Sequence, residues 1–319
     1  MKIVKIEQVD AKKTIEDALS QIQVGAETTF GNMMIFPLLD GNSGSADYLA
    51  LDEALARGLV HITEVSVEGS VPDLKLKNES DDPVLLLDGE ELIGAKQNRV
   101  LNLTILAPAK RTIVIPVSCV EAGRWSRRSA KFTTSSQTHF AHGRAKKMAQ
   151  VSDSLVNRGE ARSDQHTVWA DIAAKAVHLK AESATAAMFA IYDRHAKRID
   201  DYVAAFAALD RQVGAAFAIN GEVIGFDLFD SPATLKKLLP KLVRSYALDA
   251  IETAAQKPAS DTSAVAVNEL LLSVLKAEAK TFPAIGEGID VRLTGPSLTG
   301  AGLVAKGRVV HLSAFHIGL

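Results

Sequence analysis

This sequence predicts an α+β protein, with a mixed, largely antiparallel sheet system in the N-terminal half and helices mainly in the C-terminal half. Three observations carry that expectation. Short apolar and β-branched runs separated by Gly, Asn and Asp turns crowd the chain up to Arg124, whereas apolar periodicity of the helical kind dominates after Gly143. Asn220-Gly221 and Lys306-Gly307 add hairpins to the second half. No composition break divides the 319 residues, so they read as a single compact domain over 1–319. A strand-rich lobe (1–140) and a helix-rich lobe with two hairpins (141–319) are the alternative division.

Residues 28–39 (TTFGNMMIFPLL) read as a strand. LDEALARG, residues 51–58, reads as a short helix with Gly58 on its C-cap side, and VHITEVSV, residues 60–67, resumes strand character. Three strands follow over residues 83–124, punctuated by Asp88-Gly89 and Pro108-Ala109-Lys110. The Ser/Thr-rich segment 125–143 lacks periodicity and reads as a long loop. Helices are expected over about 143–157, 164–180 and 184–209, then a hairpin over 217–229. Ser231 caps the next helix with Pro232 at its first position, and Pro240 should kink or break it. KPASDTS, residues 257–263, reads as a linker before a helix over 263–280. The turns at Gly89, Gly221 and Gly307 share a local pattern, which fits a duplicated β unit and shared turn chemistry equally well.

Composition narrows the function classes. A hydrophobic fraction of 47% and a charged fraction of 23% are those of a soluble globular protein. A net charge of -2 speaks against wholesale polyanion binding but leaves room for a local basic patch. The charged N-terminus has no apolar core of the secretory kind, and no run approaches the ~20 apolar residues of a spanning helix. The single cysteine, Cys119, excludes an internal disulfide framework and a Cys-rich zinc site. The expectation is a cytoplasmic protein that does not engage a membrane.

One stretch stands out. LLLDGEELIGAKQNRVLNLTIL, residues 85–106, carries Glu90, Glu91, Lys96, Gln97, Asn98, Arg99 and Asn102 inside an apolar, β-branched run. Polar atoms in such a run must pair with one another or face a ligand. If residues 95–106 and 112–121 pair antiparallel about Ala109, Leu106 lies opposite Thr112, Arg99 opposite Cys119 and Gln97 opposite Glu121. A strand running straight through Gly94 puts Glu91 on the face of Gln97 and Arg99, whereas a bulge at Gly94 reverses that assignment. The expected constellation is Glu91, Gln97, Arg99 and Glu121 at one end of an apolar sheet face. It reads either as a pocket floor or as a buried ionic network with arginine between two glutamates.

Beside it, residues 122–152 contain no acidic residue until Asp153, and Arg124, Arg127, Arg128, Lys131, Arg144, Lys146 and Lys147 supply seven positive charges. Guanidinium forks and the helix start near Gly143 suit phosphate oxygens; a solvated surface loop is the plainer alternative. Trp125 is placed to stack on a base or to anchor the loop. His139 and His142 lack a third ligand, so no metal site is expected. Cys119 is disfavoured as a nucleophile because no histidine is placed beside it. Rossmann and Walker phosphate motifs are absent.

DGEELIGAKQNRVLN (88–102), IPVSCVEAGRW (115–125) and GFDLFDSPATLKKLLPKLVRSYALDA (225–250) together resemble the ARG-and-rhodanese-phosphatase-superfamily-associated domain family over most of the chain. The resemblance implies a place in NAD or ADP-ribose metabolism and brings no catalytic residues with it. It raises the weight of Glu91, Gln97, Asn98, Arg99, Glu121, Arg124 and Trp125 as one site. The function expected is binding or processing of an ADP-ribose, NAD-derived or other phosphorylated nucleotide ligand. Glu91 and Glu121 are the candidate acid/base residues. Gln97, Asn98, Arg99, Arg124, Trp125, Arg127 and Arg128 are the candidate ligand contacts. A non-catalytic binding module is the alternative, and nucleic-acid binding the least favoured. ADP-ribosylglycohydrolase-related pathway proteins are the implied partners, a homo-oligomer is open, and the cofactor is unknown.

Overall fold

The computed structural model describes residues 10–41, 44–255 and 262–318. Helix α1 (Ala11–Ser20) comes first, capped by Asp10, whose carboxylate accepts from the Lys13 amide. Strands β1 (Gln23–Val24), β2 (Thr28–Phe30), β3 (Met33–Leu39) and β4 (Leu49–Ala50) precede α2 (Leu51–Ala56) and β5 (Val60–Glu64). A run of strands follows: β6 (Asp73–Asn78), β7 (Val84–Leu86), β8 (Glu90–Gly94), β9 (Arg99–Leu101), β10 (Ile105–Ala107), β11 (Thr112–Cys119) and β12 (Phe132–Thr138). Helices α3 (Ala141–Arg158), α4 (Gln165–His178), α5 (Met188–Arg194) and α6 (Ala196–Ala205) lead to the hairpin β13 (Gln212–Ile219) and β14 (Glu222–Phe229). Then come α7 (Pro232–Glu252), α8 (Ala264–Lys276), β15 (Glu278–Pro283), β16 (Ile289–Gly295), β17 (Leu298–Ala305) and β18 (Arg308–His316).

These strands make three sheets. Strands β11-β6-β5-β12-β8-β9 close into an antiparallel barrel, and β10-β7-β4 form a small sheet beside it. The third sheet has nine strands in the order β1-β3-β13-β14-β18-β17-β16-β15, with β2 paired to β3. Alternation explains the layers. Along β13, Ala215, Phe217 and Ile219 face the core shared with α7 and the outside of the barrel, whereas Ala216 and Ala218 face a second core under α1 and α8. Ile62, Leu74, Leu76, Leu92, Leu101, Ile115, Val117 and Phe132 fill the barrel.

The α+β class is borne out, and the division between halves holds roughly, with helices spread along the chain and not only C-terminal. Helices α1 and α2 lie in the N-terminal part, and most strands of the largest sheet come from the C-terminal part. Residues 28–39 are a hairpin turning at Gly31, whose φ is 59°, and not one strand. The expected loop 125–143 contains β12, which completes the barrel. The expected helix over 184–209 is α5 and α6, divided at His195. Helix α7 runs unbroken through Pro240, because packing against α6, β12 and β13 along its length outweighs one lost backbone hydrogen bond. The last helix ends at Lys276, and the chain turns directly into β15. Most of the expected linker, residues 257–261, lies outside the described residues. The hairpins at Asn220-Gly221 and Lys306-Gly307 are present, with both central residues at positive φ in each (52° and 87°, 52° and 75°), the geometry a two-residue turn between twisted strands needs.

Candidate functional site

The predicted polar stretch lies at one end of the barrel. Arg99 pairs with Cys119 across β9 and β11, in the predicted register. The pairing does not extend to Leu106 and Thr112: residues 105–107 leave to join β7, and the start of β11 pairs with β6 instead. Arg99 also sits opposite Leu92 of β8, so its side chain shares the barrel-interior face with Leu92 and Leu101. It is fully buried. Its Nε donates to the Val71 carbonyl at 3.2 Å and its Nη1 to the Asn98 carbonyl at 3.4 Å, while Nη2 has no partner. Among the described residues no carboxylate forms a salt bridge with it. The half-exposed Trp125 ring covers this end, 5.5 Å from the Arg99 guanidinium and 5.2 Å from Lys96 Nζ. Burial pulls Arg99 below its ordinary pKa.

Glu121 does not pair with Arg99. Its Oε2 accepts from Arg124 Nη2 at 2.6 Å and from the Asn98 amide at 3.2 Å, and its Oε1 accepts from Thr185 Oγ1 at 2.8 Å. Burial opposes its ionisation, but Arg124, Thr185 and the Asn98 amide together hold it below the usual glutamate range. Asn98 Oδ1 accepts from Arg124 Nη2 and from the Gly94 amide, and Gln97 Nε2 donates to the Glu121 carbonyl at 3.1 Å. Arg124 Nη1 binds the carbonyls of Ala95 and Ser126. Gln97, Asn98, Glu121 and Arg124 therefore lock the 94–98 turn to the start of the 122–131 loop, and their polar capacity is largely used within the protein.

Glu91 is elsewhere. Gly94, at φ 133°, and Ala95, at φ 38°, fold β8 back on β9, so Glu91 lies opposite Val100 and faces the helical layer. A straight strand through Gly94 is thus ruled out, and with it a shared face for Glu91 and Arg99. Glu91 is fully buried; Oε2 accepts from Gln137 Nε2 at 3.0 Å, and Oε1 has no partner. Burial raises its pKa to about 7. Gly94 fixes this arrangement: a Cβ there would meet Ser129 Oγ at 2.7 Å and the Lys131 carbonyl at 2.8 Å. Gly94→Ala should destabilise the protein by about 2 kcal/mol in urea denaturation and loosen the 124–131 loop to proteolysis; parent-like values for both would show that the turn is not constrained.

Arg127 and Arg128 are exposed on that loop, where Arg127 Nε binds the Ser129 carbonyl. The expected row of seven cations is not one surface. Arg144 and Lys147 point inward from α3, Arg144 onto Asp227 at 2.6 and 3.0 Å and Lys147 onto Asp88. Sequence reasoning missed Asp227 in β14, which takes Arg144, and His311 in β18, which hydrogen-bonds Asp227; both are buried polar residues within apolar strands. The criterion that singled out residues 85–106 would have found them. Among the described residues no cluster of His, Cys, Asp or Glu could hold a metal ion, and no helix is long and apolar enough to cross a membrane.

Comparison with known families decides one question. The ARG and Rhodanese-Phosphatase-superfamily-associated Protein domain, ARPP-1, matches residues 21–315. The chain belongs to this family. The ARPP-1 match spans the barrel, the nine-stranded sheet and the helical layer between them, so both polar regions fall inside it. No curated protein and no solved structure matches the chain.

Proposed function

We propose that the barrel end binds a phosphorylated, nucleotide-like ligand of the ADP-ribose or NAD-derived kind. The observation that carries this reading is Arg99: a fully buried guanidinium that donates to two backbone carbonyls, leaves Nη2 without a hydrogen bond and forms no salt bridge among the described residues, with Glu64 and Glu121 acting on it only from a distance. A buried guanidinium with no salt bridge is costly, and a phosphoryl oxygen would give Nη2 an acceptor of matching geometry. Trp125, half-exposed over Arg99, offers a stacking surface for a base. Lys96, Arg127 and Arg128 add positive charge around the entrance. The family's association with ADP-ribosylglycohydrolases points the same way and makes proteins of that pathway the proposed partners.

The saturated hydrogen bonding of Glu121 favours binding over turnover at this end, because an acid or base needs a free oxygen toward substrate. Glu91, buried on the opposite face of the sheet toward the helical layer, does not reach a ligand held by Arg99. Glu121→Gln separates the two readings, since binding should survive it and turnover through Glu121 should not.

ADP-ribose should raise the apparent melting temperature, and titration calorimetry should return saturable binding. Trp125→Ala should weaken it by roughly 5- to 150-fold, the equivalent of ~1–3 kcal/mol of base stacking. Arg99→Met should bind at least about tenfold more weakly while being no less stable than the parent, because it removes an unpaired buried charge. The proposal is abandoned if ADP-ribose, NAD and AMP at millimolar concentration all leave the melting temperature unchanged. Tight binding of single-stranded RNA with a steep salt dependence would replace it with the nucleic-acid reading.

A further inference from the structure

The β15 edge of the nine-stranded sheet carries a cleft of about 240 Å³, set between α3 and strands β15–β17. Register says which side chains share its floor. Glu278, Thr294 and Thr299 form one row across β15, β16 and β17, and Lys280, Arg292 and Ala301 form the next. The intervening Val291 and Leu293 face the opposite core under α8. The other wall is α3, whose Ala149, Ser152, Asp153 and Val156 follow the i, i+3, i+4, i+7 spacing of one helix face. Leu298 and Ile317 close the apolar side.

Two features of this cleft do nothing for the fold. Arg292 is only 2% exposed, and Asp290 clamps its Nε and Nη2 at 2.5 and 2.6 Å. Its Nη1 makes no hydrogen bond among the described residues. Lys280 is the cross-strand partner of Arg292, and like charges placed opposite one another weaken a sheet. The ion pair of Lys280 is loose, with Nζ 3.5 Å from Oε1 of Glu278. Asp153 lines the same cleft from α3, with Oδ1 held by Asn157 at 2.7 Å.

Charge and size select the ligand class. Lys280 and Arg292 stand beside Asp153 and Glu278, so a bare anion or a bare cation would meet repulsion along with attraction. A ligand carrying both signs finds a partner for each. The volume falls below the ~300 Å³ at which drug-sized sites begin, which limits the ligand to a small molecule. We propose that this cleft binds a free α-amino acid with an apolar side chain. Arg292 and Lys280 take the carboxylate, with the Thr294 and Thr299 hydroxyls beside it. Asp153 and Glu278 take the ammonium group, and the side chain lies against Val156, Leu298 and Ile317. Binding then offsets the repulsion between the two facing cations. None of these residues belongs to the barrel end, so the assignment stands or falls separately from the ligand proposed there.

The test is titration calorimetry of the full chain with L-leucine in a buffer free of amino acids. Saturable one-to-one binding is expected, with Kd below about 1 mM. 4-Methylpentanoate lacks the ammonium group and 3-methylbutylamine lacks the carboxylate; each should bind at least about tenfold more weakly. Lys280→Gln and Glu278→Gln remove half-exposed charges and should each weaken leucine binding by roughly 2- to 5-fold. Arg292→Gln combined with Asp290→Asn leaves no buried charge unpaired and should weaken it by about tenfold or more. No saturable heat from leucine at millimolar concentration, or equal affinity for leucine and 4-methylpentanoate, would overturn the assignment. So would parent-like affinity in both Lys280→Gln and Glu278→Gln. Should the double variant fail to fold, these two surface variants decide together with the analogues.

Discussion

Replacing Arg144 with methionine should destabilise the protein by about 3–5 kcal/mol. Among the described residues, the change leaves the fully buried Asp227 carboxylate with His311 as its remaining side-chain partner. It also removes a cation close to Asp88, which already holds Lys147. Removing the acid as well, in Arg144→Met with Asp227→Asn, should recover part of the loss, because a neutral amide does not need a counter-charge. The interaction has a pH signature. Asp227 titrates at about 2 in the folded protein against an ordinary 3.8, so its stabilisation is complete above pH ~4 and fades as pH falls toward 2. Urea denaturation of the parent should show that loss between pH 4 and pH 2, amounting to roughly 2 kcal/mol. Arg144→Met should lack it. A variant that keeps the parent's stability at pH 7 would mean that solvent reaches Asp227.

Glu91→Gln should act in the opposite direction. Glu91 has a folded pKa of about 7 against an ordinary 4.5, so the unfolded chain releases this proton more readily than the folded one. Its contribution is neutral at acid pH, becomes unfavourable as pH rises from about 4.5, and levels off above 7 at roughly 3 kcal/mol. Glutamine at this site carries no charge to bury and can keep the contact to Gln137. The variant should match the parent near pH 4.5 and exceed it by about 2–3 kcal/mol at pH 8, measured by urea denaturation at both values. Equal differences at the two pH values would exclude ionisation of Glu91 as the cause.

Much of this site was legible because strands obey a period of two. Arg99 opposite Cys119 followed from counting back from a turn, and the observed register agrees. Glu91 was assigned only conditionally, since its face depended on whether Gly94 interrupts the strand, and a glycine's φ is not written in the residue type. The expected arginine between two glutamates failed for a different reason. Arg124 is three residues from Glu121 in a loop without periodicity, so nothing local announced that it, and not Arg99, would take the carboxylate. Strand β12 was hidden in the same way: FTTSSQT has no apolar alternation, and the barrel recruits it through backbone pairing with β5 and β8. The buried Asp227–His311–Thr104 hydrogen-bond network joins residues far apart in the chain, and only the assembled sheet puts β14 and β18 beside the β9–β10 connection.

The pairing of β3 with β13 has a consequence for how the protein is made. Leu39 ends β3 and Gln212 begins β13, a gap of 173 residues (212 − 39). At a synthesis rate of about 5–20 residues per second, that gap lasts roughly 10–35 s. During it the six barrel strands β5, β6, β8, β9, β11 and β12 can all emerge and associate, while among the described strands MMIFPLL has the short β1 and β2 beside it. The nascent chain would thus carry a finished N-terminal kernel next to an apolar ribbon awaiting its neighbour, a stage at which holding chaperones have most to bind.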